Sequence, residues 1–81
     1  MRRIEDSRGI VHEFEQIIIG SDGAVHCRMQ RRLDGASLGD VVHYLTPDEA
    51  APAFASGEGF FAALAAALVA AGKCSGEYKG D

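Results

Sequence analysis

The residues best able to do chemistry are three histidines and two cysteines. His12, His26 and His43 fall one on each of three predicted strands, and Cys27 stands beside His26. Imidazole and thiolate together can hold zinc, but a tetrahedral site needs its ligands to converge on one point. Neighbours on a strand face opposite ways, so His26 and Cys27 diverge. The predicted pairing also puts His12 and His26 on opposite faces. No Cys-x-x-Cys or His-x-x-x-His spacing occurs. The same divergence separates a thiol nucleophile from its base. Cys27 therefore reads as a small apolar core residue, and Cys74 as part of a polar tail. Glu13 and Glu15 share one face of a strand about 7 Å apart. Such a carboxylate pair can serve glycoside hydrolysis, but the face around them is flat, so they read as displayed charge. Gly57-Glu58-Gly59 precedes a helix, yet lacks the lysine and the preceding strand of a phosphate-binding loop. It reads as a hinge. No catalytic residue, metal site or cofactor is expected, and the chain reads as non-enzymatic.

The elements that would position these residues follow from periodicity. Residues 1–9 are polar and read as an arm. Ile10 to Ile19 is rich in β-branched residues and reads as a strand. Gly20-Ser21-Asp22-Gly23 is a turn. Ala24 to Leu33 returns as a strand, with Val25, Cys27, Met29 and Leu33 alternating against His26, Arg28, Gln30 and Arg32. Asp34-Gly35 opens a second turn extending to Gly39, and Asp40 to Leu45 is a further strand. Thr46-Pro47-Asp48-Glu49 then starts a helix, with Thr46 as cap, Pro47 at the first position and Glu49 closing a capping box. Pro52 conflicts with a helix interior, so this helix should be short, over 47–55. A longer one follows over 58–71, with Phe60, Phe61, Leu64, Leu68 and Ala71 on one face. Gly72 ends it. Residues 73–81 read as a polar tail.

Strands followed by helices give an α+β fold. The expected architecture is an antiparallel sheet of three or four strands, covered on one face by the short helix and the longer C-terminal helix. An 81-residue chain makes a single domain, 1–81. It divides into the arm, strands over 10–45, helices over 46–72 and the tail.

A two-residue loop at Asp22-Gly23 sets Glu13 opposite Arg32, Glu15 opposite Gln30, Ile17 opposite Arg28 and Ile19 opposite His26. These residues share the open face. Ile10, Phe14, Ile18, Val25, Cys27, Met29 and Leu33 form the opposite, core face, which His12, Gln16 and Arg31 interrupt. A three-residue loop would bring Glu15 against Met29 inside, at the cost of burying a charge. The open face is thus the candidate binding surface: Glu13, Glu15, Ile17, Ile19, Arg28, Gln30 and Arg32. The isoleucines would supply apolar contact and the arginines would pair with acids. Read structurally, the same residues are a solvated face with cross-strand ion pairs.

Charge narrows the partners. The net charge is −4. Residues 1–33 hold six arginines and five acids, while the remainder holds two lysines and seven acids. Direct nucleic-acid binding is disfavoured, because phosphate contacts need a basic surface. The longest apolar run, Phe60 to Ala71, is too short to span a bilayer. No secretory leader is expected at the charged start, so the reading is cytoplasmic, with reduced thiols.

Residues 10–71 resemble a family of small phage anti-CRISPR proteins that inhibit type I-F Cascade. The resemblance rests on strand, Asp22-Gly23 turn, strand, Asp34-Gly35-Ala36-Ser37-Leu38-Gly39, short strand and Thr46-Pro47-Asp48-Glu49. A short helix bearing Phe54, a glycine-rich break and a final helix complete it. The resemblance implies antiparallel strands packed by helices. It implies docking of the open sheet face on the repeated backbone subunit of Cascade, which blocks target-DNA binding without catalysis. Family members carry tyrosines and an acid on that face. Here Gln30 stands at the acid's place and Ile19 or Gly20 at a tyrosine's, which leaves the CRISPR subtype open. In this reading the protein is a monomer inside the bacterial host. The alternative is a homodimer or larger homo-oligomer, a structural or accessory protein that pairs through its sheet or through the edge around Val41–Leu45.

Overall fold

A computed structural model describes residues 1–80, apart from the side chain of Glu58. Five strands and two helices run in the order β1 (Arg3–Glu5), β2 (Ile10–Ile19), β3 (Val25–Leu33), β4 (Ala36–Leu45), α1 (Pro47–Ala55), α2 (Phe60–Ala70) and β5 (Glu77–Lys79). The sheet order is β4-β3-β2-β1-β5, with every pairing antiparallel. The α+β class and the antiparallel sheet are as expected; the strand number is five rather than three or four.

The two added strands come from the segments expected as arm and tail. Ile4 is fully buried at the centre of β1, and its row continues through Tyr78 on β5 and His12 on β2. The turn that returns β1 to β2 is fastened by Asp6. Its Oδ1 accepts from the backbone N–H groups of Arg8 at 2.9 Å and Ile10 at 3.0 Å. Asp81, the last residue of the expected tail, lies outside the described residues.

Two hairpins share one turn geometry. The N–H of Asp6 donates to Ile10 O and that of Gly9 to Asp6 O; the N–H of Gly20 donates to Ala24 O and that of Gly23 to Gly20 O. Each loop therefore has three residues, Ser7-Arg8-Gly9 and Ser21-Asp22-Gly23. Each ends on a glycine with positive φ, 84° at Gly9 and 93° at Gly23, where a side chain would be strained. The third hairpin uses only Asp34-Gly35, both at positive φ, so β4 begins at Ala36 and not at Asp40.

The three-residue loop changes the register of β2 against β3. Ile17 stands opposite Cys27, Ile18 opposite His26 and Ile19 opposite Val25. Continued without interruption, this register would press Glu15 onto Met29. A β-bulge between Phe14 and Gln16 removes that conflict: Glu15 is exposed, and Phe14 stands opposite Met29. A second irregularity, between Arg31 and Arg32, leaves Leu38 outside the β3–β4 pairing.

The helices form as their caps dictate. The Thr46 side chain accepts from Glu49 N at 3.2 Å, and the Glu49 carboxylate accepts from Thr46 N at 2.9 Å. The helix α1 runs the full 47–55 in spite of Pro52. A 3₁₀ turn at Gly57–Gly59 replaces the first residues of the expected long helix. Gly72, at φ 74°, ends α2, with its N–H on Val69 O and that of Lys73 on Leu68 O. Val25, Cys27, Met29 and Leu45 from the sheet meet Ala50, Ala53, Leu64, Ala65 and Leu68 from the helices in one core. Alanines at Ala50, Ala53 and Ala65 let the backbones approach closely. Phe61 closes one end, edge-on to Phe14 at 5.6 Å between ring centres, with the Arg2 guanidinium 4.1 Å above its ring.

Candidate functional site

The sheet face away from the helices carries most of the expected binding residues, in a changed arrangement. In the register of the five strands, Arg3, Glu13, Gln30 and Asp40 form one row. Glu5, Val11, Arg32 and Ser37 form the next. On the other side of the bulge follow Gln16, Arg28 and Val42, then Ile18, His26 and Tyr44. Glu13, Arg28, Gln30 and Arg32 are therefore on the open face, as the sequence suggests. Ile17 and Ile19 are not. The bulge at Glu15 switches the parity of β2, so Ile17 packs against the core and Ile19 shares the row of Val25 and Leu45. Ile18, expected inside, is outside. Gln16, also expected inside, pairs with Arg28 outside.

The face divides into two halves. Around Glu13 the charges are matched within the chain. Arg32 reaches Glu13 at 3.2 Å and donates to Gln30 Oε1 at 2.5 Å. Arg3 pairs with Glu5. Glu13 and Arg32 meet diagonally, since the residue opposite Glu13 is Gln30. Glu13 is engaged by Arg32, and Glu15 is the bulged, exposed residue of β2.

The other half sets exposed apolar side chains among Gln16, His26 and Arg28. Ile18 is 55% exposed, Val42 57% and Tyr44 43%. They project from β2 and β4 on either side of His26, whose ring lies 5.0 Å from that of Tyr44. Arg28, 3.9 Å from Asp40, borders this patch. Large apolar side chains gathered in one exposed place, with a charged rim, have the composition of a protein-binding surface. The patch ends at β4, a ten-residue edge strand. It contains neither lysine nor proline, two residues that commonly block edge pairing.

Sequence reasoning missed Ile18, Val42 and Tyr44 as one cluster. The signal that could have found them is the unbroken run Ile17-Ile18-Ile19, which cannot alternate with a buried face at every position. A Ser-x-Gly pair recurring before both β2 and β3 likewise marks the three-residue turn.

The remaining candidates separate as follows. His26 faces out, while His12 and His43 face the helices. Among the described residues no group of three His, Cys, Asp or Glu could hold a metal ion. Cys27 and Cys74 are buried and free. Burial pushes both thiols up to about 11, with each other's proximity adding to the effect at Cys27. At neutral pH both are thiols, so neither is an activated nucleophile. Cys74 thus belongs to the core rather than to a tail. Among the described residues no helix is long and apolar enough to cross a membrane.

The geometry defines an α+β chain with one helix-covered sheet face and one open face bearing an apolar patch. No protein-family model matches the sequence, and no curated protein or solved structure matches it either.

Proposed function

We propose that the protein is a non-catalytic binding module that docks the open face of its sheet on another protein. The observation that carries this reading is the cluster of Ile18, Val42 and Tyr44, exposed together beside the Arg28–Asp40 pair. Ile18 and Tyr44 would act as anchors, with Arg28, Gln30, Arg32 and Glu13 as the polar rim. The resemblance described above supplies the partner: a type I CRISPR surveillance complex, whose target-DNA binding the docked module would block. Tyr44 gives this face a tyrosine, which the expected set of residues lacked. The test is a mobility-shift assay of target DNA with purified I-F, I-E and I-C Cascades. One of them should lose DNA binding in the presence of the protein and regain it with Ile18→Asp or Tyr44→Ala. Unchanged DNA binding by all three at micromolar protein would reject this partner.

A second reading is favoured by the edge strand itself. The run Asp40–Leu45, unbroken in register against β3, could pair with its copy across a two-fold axis and continue the sheet into a dimer. Light scattering decides between them. A dimer broken by Val42→Lys supports self-assembly, and a monomer supports a foreign partner.

A further inference from the structure

On the opposite side of the sheet, β2, β3 and β4 leave a cavity of about 450 Å³ between their inner face and the chain that follows α2. Its lining includes Arg8, His12, Arg31, His43, Lys73 and Cys74. Four nitrogens of these side chains are buried beneath its surface without a hydrogen-bond partner: Nδ1 and Nε2 of His12, Nε of Arg31 and Nε2 of His43. His12 is only 8% exposed. Buried polar groups in folded proteins are nearly always satisfied, and a cluster of exceptions in one place calls for a missing partner.

The charges say what kind of partner. Arg8 is engaged, its guanidinium holding Asp6 at 2.7 Å. Asp6 is the nearby carboxylate, 4.0 Å from His12 Nε2, and it is already occupied by Arg8 and by two backbone N–H groups. Neither Arg31 nor Lys73 forms an ion pair among the described residues. Arg31 gives one N–H to Leu38 O at 3.1 Å, and its Nε is buried without a partner. Lys73 acts on Glu49, whose carboxyl it helps the Thr46 backbone N–H hold below the ordinary value, but the lining itself carries three cations and no acid, with polar side chains arriving from three strands and a loop. The carboxyl end of α2 opposes an anion there. Its carbonyls are taken up, however, Ala67 O by Ala71, Val69 O by Gly72 and Leu68 O by Lys73.

We propose that this cavity binds a phosphoryl oxyanion, held by Arg31, Lys73, His12 and His43. A tetrahedral oxyanion presents acceptors in several directions at once, which suits donors that converge from separate elements better than a planar carboxylate does. The volume leaves room for the organic part of a phosphate monoester, so free phosphate and a small phosphorylated metabolite are the two sources of this chemistry. The site lies on the face away from Ile18, Val42 and Tyr44, and it stands or falls independently of the docking reading.

Protons should accompany the ligand. In the free protein burial keeps the pKa of both histidines below the ordinary 6.5. Asp6 opposes that shift at His12, and Arg31 and Arg8 add to it. At His43, His12, Lys73 and Arg31 add to it, and the Cys27 thiol opposite stays neutral. A bound dianion favours the imidazolium form of both rings, so while the free ligand is itself a dianion, above its second pKa of about 6–7, binding takes up protons and tightens as pH falls.

The test is isothermal calorimetry of the full chain with inorganic phosphate, ribose 5-phosphate and ribose, at about pH 7 and about pH 8.5, where the ligands keep dianion character. Saturable binding of phosphate or of ribose 5-phosphate is expected, stronger at the lower pH, with no binding of ribose. The stronger of the two ligands identifies the source. Arg31→Gln should weaken it about tenfold or more, the loss expected for a charge-assisted contact. Lys73→Gln, at an exposed backbone position after the helix, keeps the fold and should weaken it also. The proposal is overturned if neither phosphate compound saturates, or if both variants bind as the parent does.

Discussion

The two faces of the sheet handle polar side chains in opposite ways. On the open face the charges answer one another: Arg32 with Glu13, Arg3 with Glu5, Arg28 with Asp40. The large apolar side chains Ile18, Val42 and Tyr44 stay exposed there. On the covered face most of the apolar side chains meet the helices, and buried nitrogens of His12, Arg31 and His43 are left without a hydrogen-bond partner. A surface whose charges are already matched but whose apolar groups are bare is suited to a protein. A cavity whose apolar neighbours are packed but whose nitrogens are bare is suited to a small anion. The residues that need explaining are the unsatisfied ones, and they differ in kind from face to face.

Substitutions at apolar positions should break the contrast most strongly. Leu64→Ala opens the middle of the core, where the side chain is fully buried, and should cost about 2–5 kcal/mol in urea unfolding. Val42→Ala on the open face should change stability by less than about 0.5 kcal/mol. The bulge at Glu15 supplies a finer comparison between neighbours. Ile17→Asp should destabilise by about 2 kcal/mol or more, because it sets a charge against the core. Ile18→Asp should leave the unfolding midpoint nearly unchanged and affect docking alone. Equal costs at the two positions would show that the parity of β2 is not switched.

A smaller effect concerns the start of α1. Thr46→Ala removes one half of the reciprocal Thr46–Glu49 cap and should cost about 1 kcal/mol, read by the same denaturation.

The pH dependence separates the faces again. The histidines of the cavity have folded pKa values below 6.5, the value of a free imidazole. The unfolded chain therefore takes up protons first as the pH falls. The stability that His12 and His43 permit is complete above 6.5 and declines as the pH drops below it. Denaturation midpoints between about pH 8 and pH 5 should show this slope, and His12→Phe should reduce it. Asp6 acts at a lower pH. Hydrogen bonding to Arg8 leads the effects that hold its carboxyl below the ordinary 3.8, against the opposing pull of burial. Its stabilisation is present above 3.8 and is lost as the pH falls through the folded value, a loss that Asp6→Asn should abolish.

Legibility in the sequence followed the length and redundancy of the signals. The start of α1 is marked by Thr46, Pro47 and Glu49 together, and the helix begins where those residues say. The end of α2 is equally plain at Gly72. By contrast β1 and β5 have three residues each, too few to display an alternation. They exist because Ile4 and Tyr78 have a row to join, a tertiary cause with no local trace. The sites of Arg28, Gln30 and Arg32 followed from the clear alternation of β3, and that of Glu13 from the first half of β2, before the bulge. Those of Ile17 and Ile19 did not, because three consecutive isoleucines fit either parity and only a bulge reconciles Phe14, Glu15 and the three-residue loop. His12 and Arg31 stood out in the sequence as interruptions of the covered face. The structure brings them together with His43 and Lys73 at one cavity, through the β3–β4 pairing and the return of the chain after α2.

The three histidines allow the contrast between the faces to be read in one experiment, since His12 and His43 line the cavity and His26 sits on the open face. The side-chain imidazole resonances of the ¹⁵N-labelled protein would be followed while inorganic phosphate is added at constant ionic strength. The account predicts saturable shifts of His12 and His43 toward the imidazolium form, with His26 unmoved. Shifts of equal size at all three rings, or at His26 alone, would contradict it.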